Sequence, residues 1–150
     1  MKPQVSEPRV KRAVERHMDA KGYIKIDSRE KHETGIDLEF RHRGGGRYVQ
    51  VEAKGDSDAK SQMETKLIRG LGQLVTKFVK HPNRIQGLAV PAHWERRALG
   101  KIPLDAMIAL NLVIFLVDPD GRVREVSRRN YGIARAAAGL SAVRKTKSRA

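Results

Sequence analysis

The residues of this chain best suited to chemistry are two carboxylates and an amine between positions 37 and 54. Asp37 lies between two apolar residues, and Glu52 and Lys54 alternate with apolar residues in a second segment, fifteen positions after Asp37. Such alternation is typical of β-strands, in which successive side chains point to opposite faces of the sheet. Because paired strands lie about 4.8 Å apart, Asp37 and Glu52 can converge on one point.

Two carboxylates in that arrangement repel each other unless a cation lies between them or one of them is protonated. Oxygen ligands with room left for water suit Mg²⁺ or Mn²⁺ rather than zinc. Lys54 adds a fixed positive charge that can hold a water molecule or a phosphate oxygen. The pattern therefore predicts a Mg²⁺ (or Mn²⁺) site at Asp37 and Glu52, with Lys54 beside it.

The same residues also have a plainer interpretation. Glu52 and Lys54 would then form a solvated strand face, whose ion pair adds little stability. Asp37 and Glu39 would form an exposed strand edge. A glycine flanks each of the two segments, and this setting favours the catalytic interpretation.

The elements that must position these residues follow from the spacing of apolar side chains. Recurrence every three or four residues predicts helices, and alternation or a short, near-continuous apolar run predicts strands. The predicted helices cover 8–21, 59–81 and 94–110, the last interrupted by Gly100 and Pro103; the predicted strands cover 23–27, 35–41, 47–55, 85–91, 112–117 and 122–126. Within the strand over 47–55, Val49, Val51 and Ala53 are predicted to point inward and Tyr48, Gln50, Glu52 and Lys54 outward.

The glycines at 44–46 predict a hairpin between the second and third strands. The resulting order, αβββαβαββ, is typical of an α/β fold with a mixed β-sheet flanked by helices. The 150 residues predict a single domain, with a core over about 8–127 and a basic tail over about 133–150 that begins as an Ala-rich helix.

The charge of the chain indicates its partner. Lys and Arg number 31 against 17 Asp and Glu, which gives a net charge of +14. Residues 122–150 carry nine basic residues and one acid, Glu125, and therefore supply +8 of that total. A surplus of this size predicts a polyanionic partner, with nucleic acid as the first candidate. A merely solubilising basic surface is the alternative.

Composition also excludes several classes of protein. There is no cysteine, so disulfides, thiolate zinc sites and a cysteine nucleophile are excluded. The longest apolar run, 110–117, is too short to span a bilayer. The first residues lack the apolar stretch of a signal peptide. We therefore expect a cytoplasmic protein with no membrane partner.

Two motifs in this chain resemble those of a known family. Gly-Ile-Asp at 35–37 followed by Val-Glu-Ala-Lys at 51–54 resembles the bipartite PD-(D/E)XK signature of the restriction-endonuclease-like nuclease superfamily, with isoleucine where the family name has proline. Glu15, followed by Lys-Gly-Tyr at 21–23, is similar to the acidic first helix of that family. Gly-Gln-Leu at 72–74 resembles its glutamine-bearing helix.

The resemblance implies roles for individual residues. Asp37 and Glu52 would bind Mg²⁺, helped by the Ala53 carbonyl, and Lys54 would orient the attacking water. Glu15 would lie near the metal, and Gln73 would support the site. The implied fold is the restriction-endonuclease-like fold across about 8–118.

The implied activity is that of a Mg²⁺-dependent DNA endonuclease, similar to small Holliday-junction-resolvase or phage and repair endonucleases that act on junction or branched DNA. One metal site cuts one strand, so a homodimer is expected. A catalytically inactive nucleic-acid-binding module on the same fold is the alternative, and a small RNA-associated basic protein is a further one.

Basic residues would hold the DNA backbone without reading its sequence. The residues predicted for this role are Arg41, Arg43, Arg47, Lys60, Arg69, Lys77, Arg144, Lys145 and Lys147.

Overall fold

The computed structural model describes residues 4–26, 37–57 and 62–141. The elements in chain order are α1 (Glu7–Ala20), β1 (Tyr23–Lys25), β2 (Leu38–His42), β3 (Tyr48–Ala53), α2 (Met63–Thr76), β4 (Arg84–Pro91), a 3₁₀ turn (Ala92–Trp94), α3 (Glu95–Lys101), α4 (Leu104–Ala109), β5 (Leu112–Val117), β6 (Val123–Val126) and α5 (Tyr131–Ala137).

The strands form one six-stranded mixed sheet whose spatial order is the same as their order in the chain. β1, β2 and β3 are antiparallel neighbours, β3, β4 and β5 are parallel, and β6 is antiparallel to β5. Parallel neighbours need a crossover, and α2 and the α3–α4 pair provide the two crossovers. The predicted α/β class, the mixed sheet flanked by helices and the β2–β3 hairpin are therefore confirmed.

Apolar side chains cover the sheet on both faces. On one face, Val10 and Val14 of α1 pack against Val49 and Val51 of β3. On the other face, α2, α3 and α4 pack over β4 and β5, with Leu88 at 0% exposure. Strands covered on both faces are typical of parallel sheets.

The outward prediction for alternate residues of β3 is wrong for two of them. Gln50 is only 6% exposed and Glu52 only 3%, whereas Tyr48 and Lys54 are half-buried. The physical reason is that α2 and β4 pack beside this half of the strand. Burial turns Glu52 from a surface carboxylate into one whose charge must be compensated.

The helices differ from their predicted bounds for local reasons. α2 ends at Thr76, five residues before the predicted end, because the chain must turn at 81–83 to begin β4. The predicted helix over 94–110 is two helices, α3 and α4. Proline has no N–H for the helical ladder, and the residue before it avoids helical backbone; Ile102 accordingly has φ −102° and ψ 108°.

The C-terminal half of α1 is tied to β6 through Glu125. Nε2 of His17 lies 2.6 Å from Oε2 of Glu125, and Nζ of Lys21 donates to the same oxygen at 2.5 Å. The hydrogen bond with His17, helped by Lys21, outweighs burial and lowers the pKa of Glu125 to about 2. These two contacts fix the C-terminal end of α1 to the edge strand β6.

The longest helices in the described ranges, α1 and α2, have 14 residues each. None of the helices there has the length and apolar character that crossing a bilayer requires.

Candidate functional site

The register of the β2–β3 hairpin brings the predicted carboxylates together. Leu38 pairs with Val51 in this antiparallel ladder, so the preceding residue, Asp37, falls level with Glu52 just beyond the end of the ladder. The backbone N–H of Ala53 donates to Oδ2 of Asp37 at 2.9 Å. Asp37 is therefore fixed at the end of the sheet where β3 finishes, which we call the acidic end.

The pKa of Glu52 is strongly raised. Burial, followed by the neighbouring Asp37 carboxylate, raises its pKa to about 8, and the more distant Glu7 adds to the effect. The Lys54 ammonium opposes the shift but does not cancel it. A carboxyl in this position either holds a proton near neutral pH or requires an additional cation.

Two residues of α1 that the sequence analysis did not single out join the site. Nζ of Lys11 lies 3.3 Å from Oδ1 of Asp37 and 3.7 Å from Oε2 of Glu7. Burial opposes the charge on Lys11, but Asp37 and then Glu7 outweigh it, so the pKa of Lys11 is raised. The sequence signal was present: Lys11 directly follows buried Val10 and forms an i,i+4 pair with Glu7.

A glycine allows α1 to approach Asp37 and Glu52, which we call the acid pair. A Cβ atom on Gly55 would lie 2.0 Å from the backbone N of Glu7, which is far inside van der Waals contact. The start of α1 therefore packs directly against the chain that leaves β3. Only glycine permits this approach, and the approach brings Glu7 and Lys11 to the acidic end.

Lys54 is held between β4 and α2. Its backbone N–H donates to the carbonyl of Ala89 at 2.9 Å, which extends the parallel ladder beyond β3. Its side chain passes Gly70 of α2, where an added Cβ would lie 3.5 Å from Cγ of Lys54. Lys66 of the same helix donates to the Gly55 carbonyl at 2.8 Å. The helix thus confines the lysine beside Glu52.

Asp56 joins three segments next to the acid pair. Its carboxylate accepts hydrogen bonds from the backbone N–H of Val5 at 2.9 Å and from the indole N–H of Trp94 at 2.8 Å, and Nε2 of His93 lies 2.7 Å away. Burial raises the pKa of Asp56, but these three contacts outweigh it and hold the pKa below its usual value. The backbone after β3 is therefore anchored independently of Asp37.

The two supporting residues implied by the resemblance lie in different places. Glu15 accepts a hydrogen bond from Lys25 at 2.9 Å and lies eight residues, about 12 Å, along α1 from Glu7. Because α1 runs away from the acidic end, the structure brings Glu7 to the acid pair rather than Glu15. Gln73 lies about one turn beyond Gly70 on α2, and its buried Oε1 has no hydrogen-bond partner in the described ranges.

The predicted DNA-contacting residues separate into three groups. Arg41, Arg43 and Arg47 lie at the opposite end of the sheet, because β2 ends and β3 begins there. Arg69 is exposed on α2, and Lys77 directly follows that helix. The remaining four, Lys60, Arg144, Lys145 and Lys147, lie outside the described residues.

The donor set at the acidic end fits a hard divalent cation. In residues 4–26, 37–57 and 62–141, no three or more His, Asp or Glu side chains cluster closely enough to hold a metal ion. The available set is therefore two carboxylates, Asp37 and Glu52, with the carbonyl of Ala53 between Glu52 and Lys54. Oxygen-only sets of this kind leave positions for water and suit Mg²⁺ or Mn²⁺. Burial and the neighbouring Asp37 raise the pKa of Glu52 because they disfavour its negative charge, and such an ion would compensate that charge.

Comparison of the chain with protein-family models, curated proteins and solved structures gives no match.

Proposed function

We propose that this protein is a Mg²⁺-dependent (or Mn²⁺-dependent) DNA endonuclease that hydrolyses phosphodiester bonds. The observation that carries the proposal is the buried Glu52 beside Asp37, with Lys54 confined next to it. Paired carboxylates with an adjacent ammonium suit metal-assisted phosphoryl chemistry. The likeness of 35–37 and 51–54 to the PD-(D/E)XK signature supports the same function, as does the net charge of +14.

The residues have distinct roles in this proposal. Asp37, Glu52 and the Ala53 carbonyl would hold the cation, which when bound supplies Lewis-acid charge to the phosphate and strengthens water as a nucleophile. Lys54 orients the water that attacks phosphorus and balances the charge that develops on the phosphate oxygens. Lys11 holds Asp37 in place. Hydrolysis breaks one P–O ester bond, and the leaving oxygen takes up a proton.

The substrate and assembly follow from the same reasoning. One acid pair cuts one strand, so coordinated cutting of two strands would need two chains, and a homodimer is proposed. Junction or branched DNA is the proposed substrate form, with the restriction-endonuclease-like fold as its scaffold.

The test is a cleavage assay on supercoiled plasmid, single-stranded and four-way-junction DNA. Mg²⁺ should support nicking, EDTA should abolish it, and Asp37→Asn or Lys54→Ala should remove it. Glu39→Gln is the matched control, because Glu39 lies on β2 two residues after Asp37 but is level with Gln50 rather than with Glu52. Equal nicking by wild type and Asp37→Asn would refute the proposal.

A second readout does not depend on activity. Mn²⁺ should raise the melting temperature of the wild-type protein at pH 8, because it binds only the folded state. The same addition should leave Asp37→Asn unchanged. Stabilisation of both proteins alike would place the ion elsewhere.

A nucleic-acid-binding module without turnover is the second candidate. Its specific support is the Lys11 ammonium, which already compensates Asp37 at 3.3 Å. This candidate predicts salt-sensitive DNA binding with no cleavage in Mg²⁺ or Mn²⁺, and binding that Asp37→Asn does not alter.

A further inference from the structure

A separate cationic surface lies at the end of the sheet opposite the acid pair. Two adjoining surface pockets there share Arg47 and Asn83 in their linings. Together the two pockets are lined by five arginines and by no acidic residue. These five residues, which we call the arginine surface, are Arg41, Arg47, Arg84, Arg128 and Arg129.

The strand order assembles this surface from distant parts of the chain. β3, β4 and β5 begin at this end, while β2 and β6 finish there. The hairpin at 43–47, the start of β4 and the turn after β6 therefore meet. Hydrogen bonds fix the start of β4 to its neighbours: the Tyr48 backbone N–H donates to the Asn83 carbonyl at 3.0 Å, and the Asn111 side-chain amide donates to the Arg84 carbonyl at 2.9 Å.

Arg84 is pre-positioned within this surface. Its guanidinium carbon lies 4.7 Å from the centre of the Tyr48 ring, which is a cation–π contact. The Tyr48 hydroxyl accepts a hydrogen bond from the Gln50 amide at 3.4 Å, and burial followed by the nearby Glu39 carboxylate raises its pKa. The buried Gln50 therefore holds the tyrosine, which supports the flat face of the guanidinium and leaves the N–H edges for a ligand.

The exposed arginines here lack the counter-charges found elsewhere on the molecule. Arg43 pairs with Asp19 at 3.4 Å, and Arg124 pairs with Glu95 at 2.7 Å. Among the described residues, no carboxylate lies within 4 Å of the guanidinium groups of Arg47, Arg128 or Arg129. Uncompensated guanidinium groups at several points of one surface are suited to a ligand with repeated negative charges.

We propose that the arginine surface binds the phosphodiester backbone of a nucleic acid away from the position of hydrolysis. Guanidinium forks bind phosphate oxygens in pairs, and Gly45 and Gly46 at the hairpin tip leave open space for the backbone to approach. Along β3, the surface lies about 15 Å from Glu52, which corresponds to roughly four or five base-pair steps of duplex axis. The identity of the polyanion rests on the proposed function, but the surface itself uses none of the acid pair.

The test measures binding without cleavage. Fluorescence anisotropy with labelled single-stranded, duplex and four-way-junction DNA is recorded in EDTA, from about 50 to about 200 mM salt. Arg47→Gln, Arg128→Gln and Arg129→Gln, combined, should weaken binding of at least one DNA form tenfold or more. The slope of log K against log salt should fall by about 2 to 3.

The matched control removes the same charge elsewhere. Arg12→Gln and Arg16→Gln change a pocket that Asp118 and Asp120 also line, and Arg122→Gln removes a guanidinium that pairs with Asp120 at 3.3 Å. This triple variant should therefore bind nearly as the wild type does. Equal losses in both variants would make the effect one of net charge and would overturn the inference, as would unchanged binding in the first. Circular dichroism verifies that both variants are folded.

The outcomes separate this inference from the proposed nuclease activity. Binding that depends on Arg47, Arg128 and Arg129, without Mg²⁺-dependent cleavage, supports the surface and refutes the enzyme. Mg²⁺-dependent cleavage, together with a DNA affinity that is the same in the arginine triple variant as in wild type, supports the enzyme and refutes the surface.

Discussion

The two ends of the sheet carry opposite charges in opposite environments: the carboxylates at one end are largely buried, and the arginines at the other are exposed. At the acidic end, Glu52 is 3% exposed and its carboxyl group lies beside that of Asp37. At the arginine surface, Arg47, Arg128 and Arg129 are exposed and spaced over several strands. Buried like charges create a demand for one specific ion, whereas exposed like charges create a broad field for an extended polyanion. The same β3 strand carries both, one at each end.

The largest difference between the ends should be in catalysis. Lys54→Ala or Asp37→Asn is expected to lower the rate of DNA cleavage by about 10³-fold, since each removes a group that acts on the reacting phosphate, while Kd stays the same. The arginine triple variant is expected to raise Kd and leave the rate at saturating DNA nearly unchanged. Single-turnover kinetics with separate binding titrations measure both. If both sets of variants change Kd alone, the division between the ends is wrong.

The acidic end should also show a distinctive pH dependence of stability. Because the pKa of Glu52 in the folded protein is about 8, above its ordinary value, its contribution is complete at pH 4 and lost as the pH rises through 8. The free energy of unfolding in EDTA should fall over this range by about 3 kcal/mol more in wild type than in Glu52→Gln. Urea titrations at a series of pH values test this, and Mn²⁺ should remove the decline. Parallel curves for the two proteins would contradict it.

A smaller effect is expected from the glycine that brings α1 to the acidic end. Gly55→Ala should destabilise the protein by roughly 2 to 3 kcal/mol, because the added methyl group overlaps backbone atoms of Glu7. Gly72→Ala is the control: nothing lies within 4 Å of its added Cβ, and alanine favours the helix by up to about 1 kcal/mol. Thermal unfolding of both variants measures the contrast. A neutral Gly55→Ala would show that α1 can move away without cost.

The smallest effect on stability is expected at Glu125, which belongs to neither the acidic end nor the arginine surface. Glu125→Gln should cost about 1 to 2 kcal/mol of unfolding free energy at pH 7, because its bonds with His17 and Lys21 hold α1 to β6. The pKa of Glu125 is lowered to about 2, so its contribution is present above pH 4.5 and is lost as the pH falls through 2. Urea unfolding at pH 7 and pH 2 should show the difference shrinking. Neither DNA affinity nor cleavage should change.

Much of the fold could be predicted because its signals are local. The near-continuous apolar run over 112–117 and the segment over 85–91 predicted strands at nearly the observed bounds, and the glycines at 44–46 predicted the hairpin. The convergence of Asp37 and Glu52 followed from that hairpin, since antiparallel register is a local property. The helix over 94–110 failed where one residue, Pro103, overrode a favourable apolar pattern.

Other features depend on contacts between distant parts of the chain. The burial of Glu52 depends on α2 crossing over β3, which alternation alone does not reveal. The replacement of Glu15 by Glu7 beside the acid pair depends on the direction in which α1 runs from Gly55. The grouping of Arg84, Arg128 and Arg129 depends on strand order, which local periodicity does not contain.

The hydrogen bond between Trp94 and Asp56 has a practical consequence. Trp94 is the only tryptophan in the chain, and its indole N–H is bonded within one residue of Gly55. Its ring is buried at 1% exposure. The intrinsic fluorescence of Trp94 therefore reports on the acidic end. A metal ion added beside Asp37 should change the intensity of this fluorescence, whereas an oligonucleotide bound at the arginine surface should leave the spectrum unchanged.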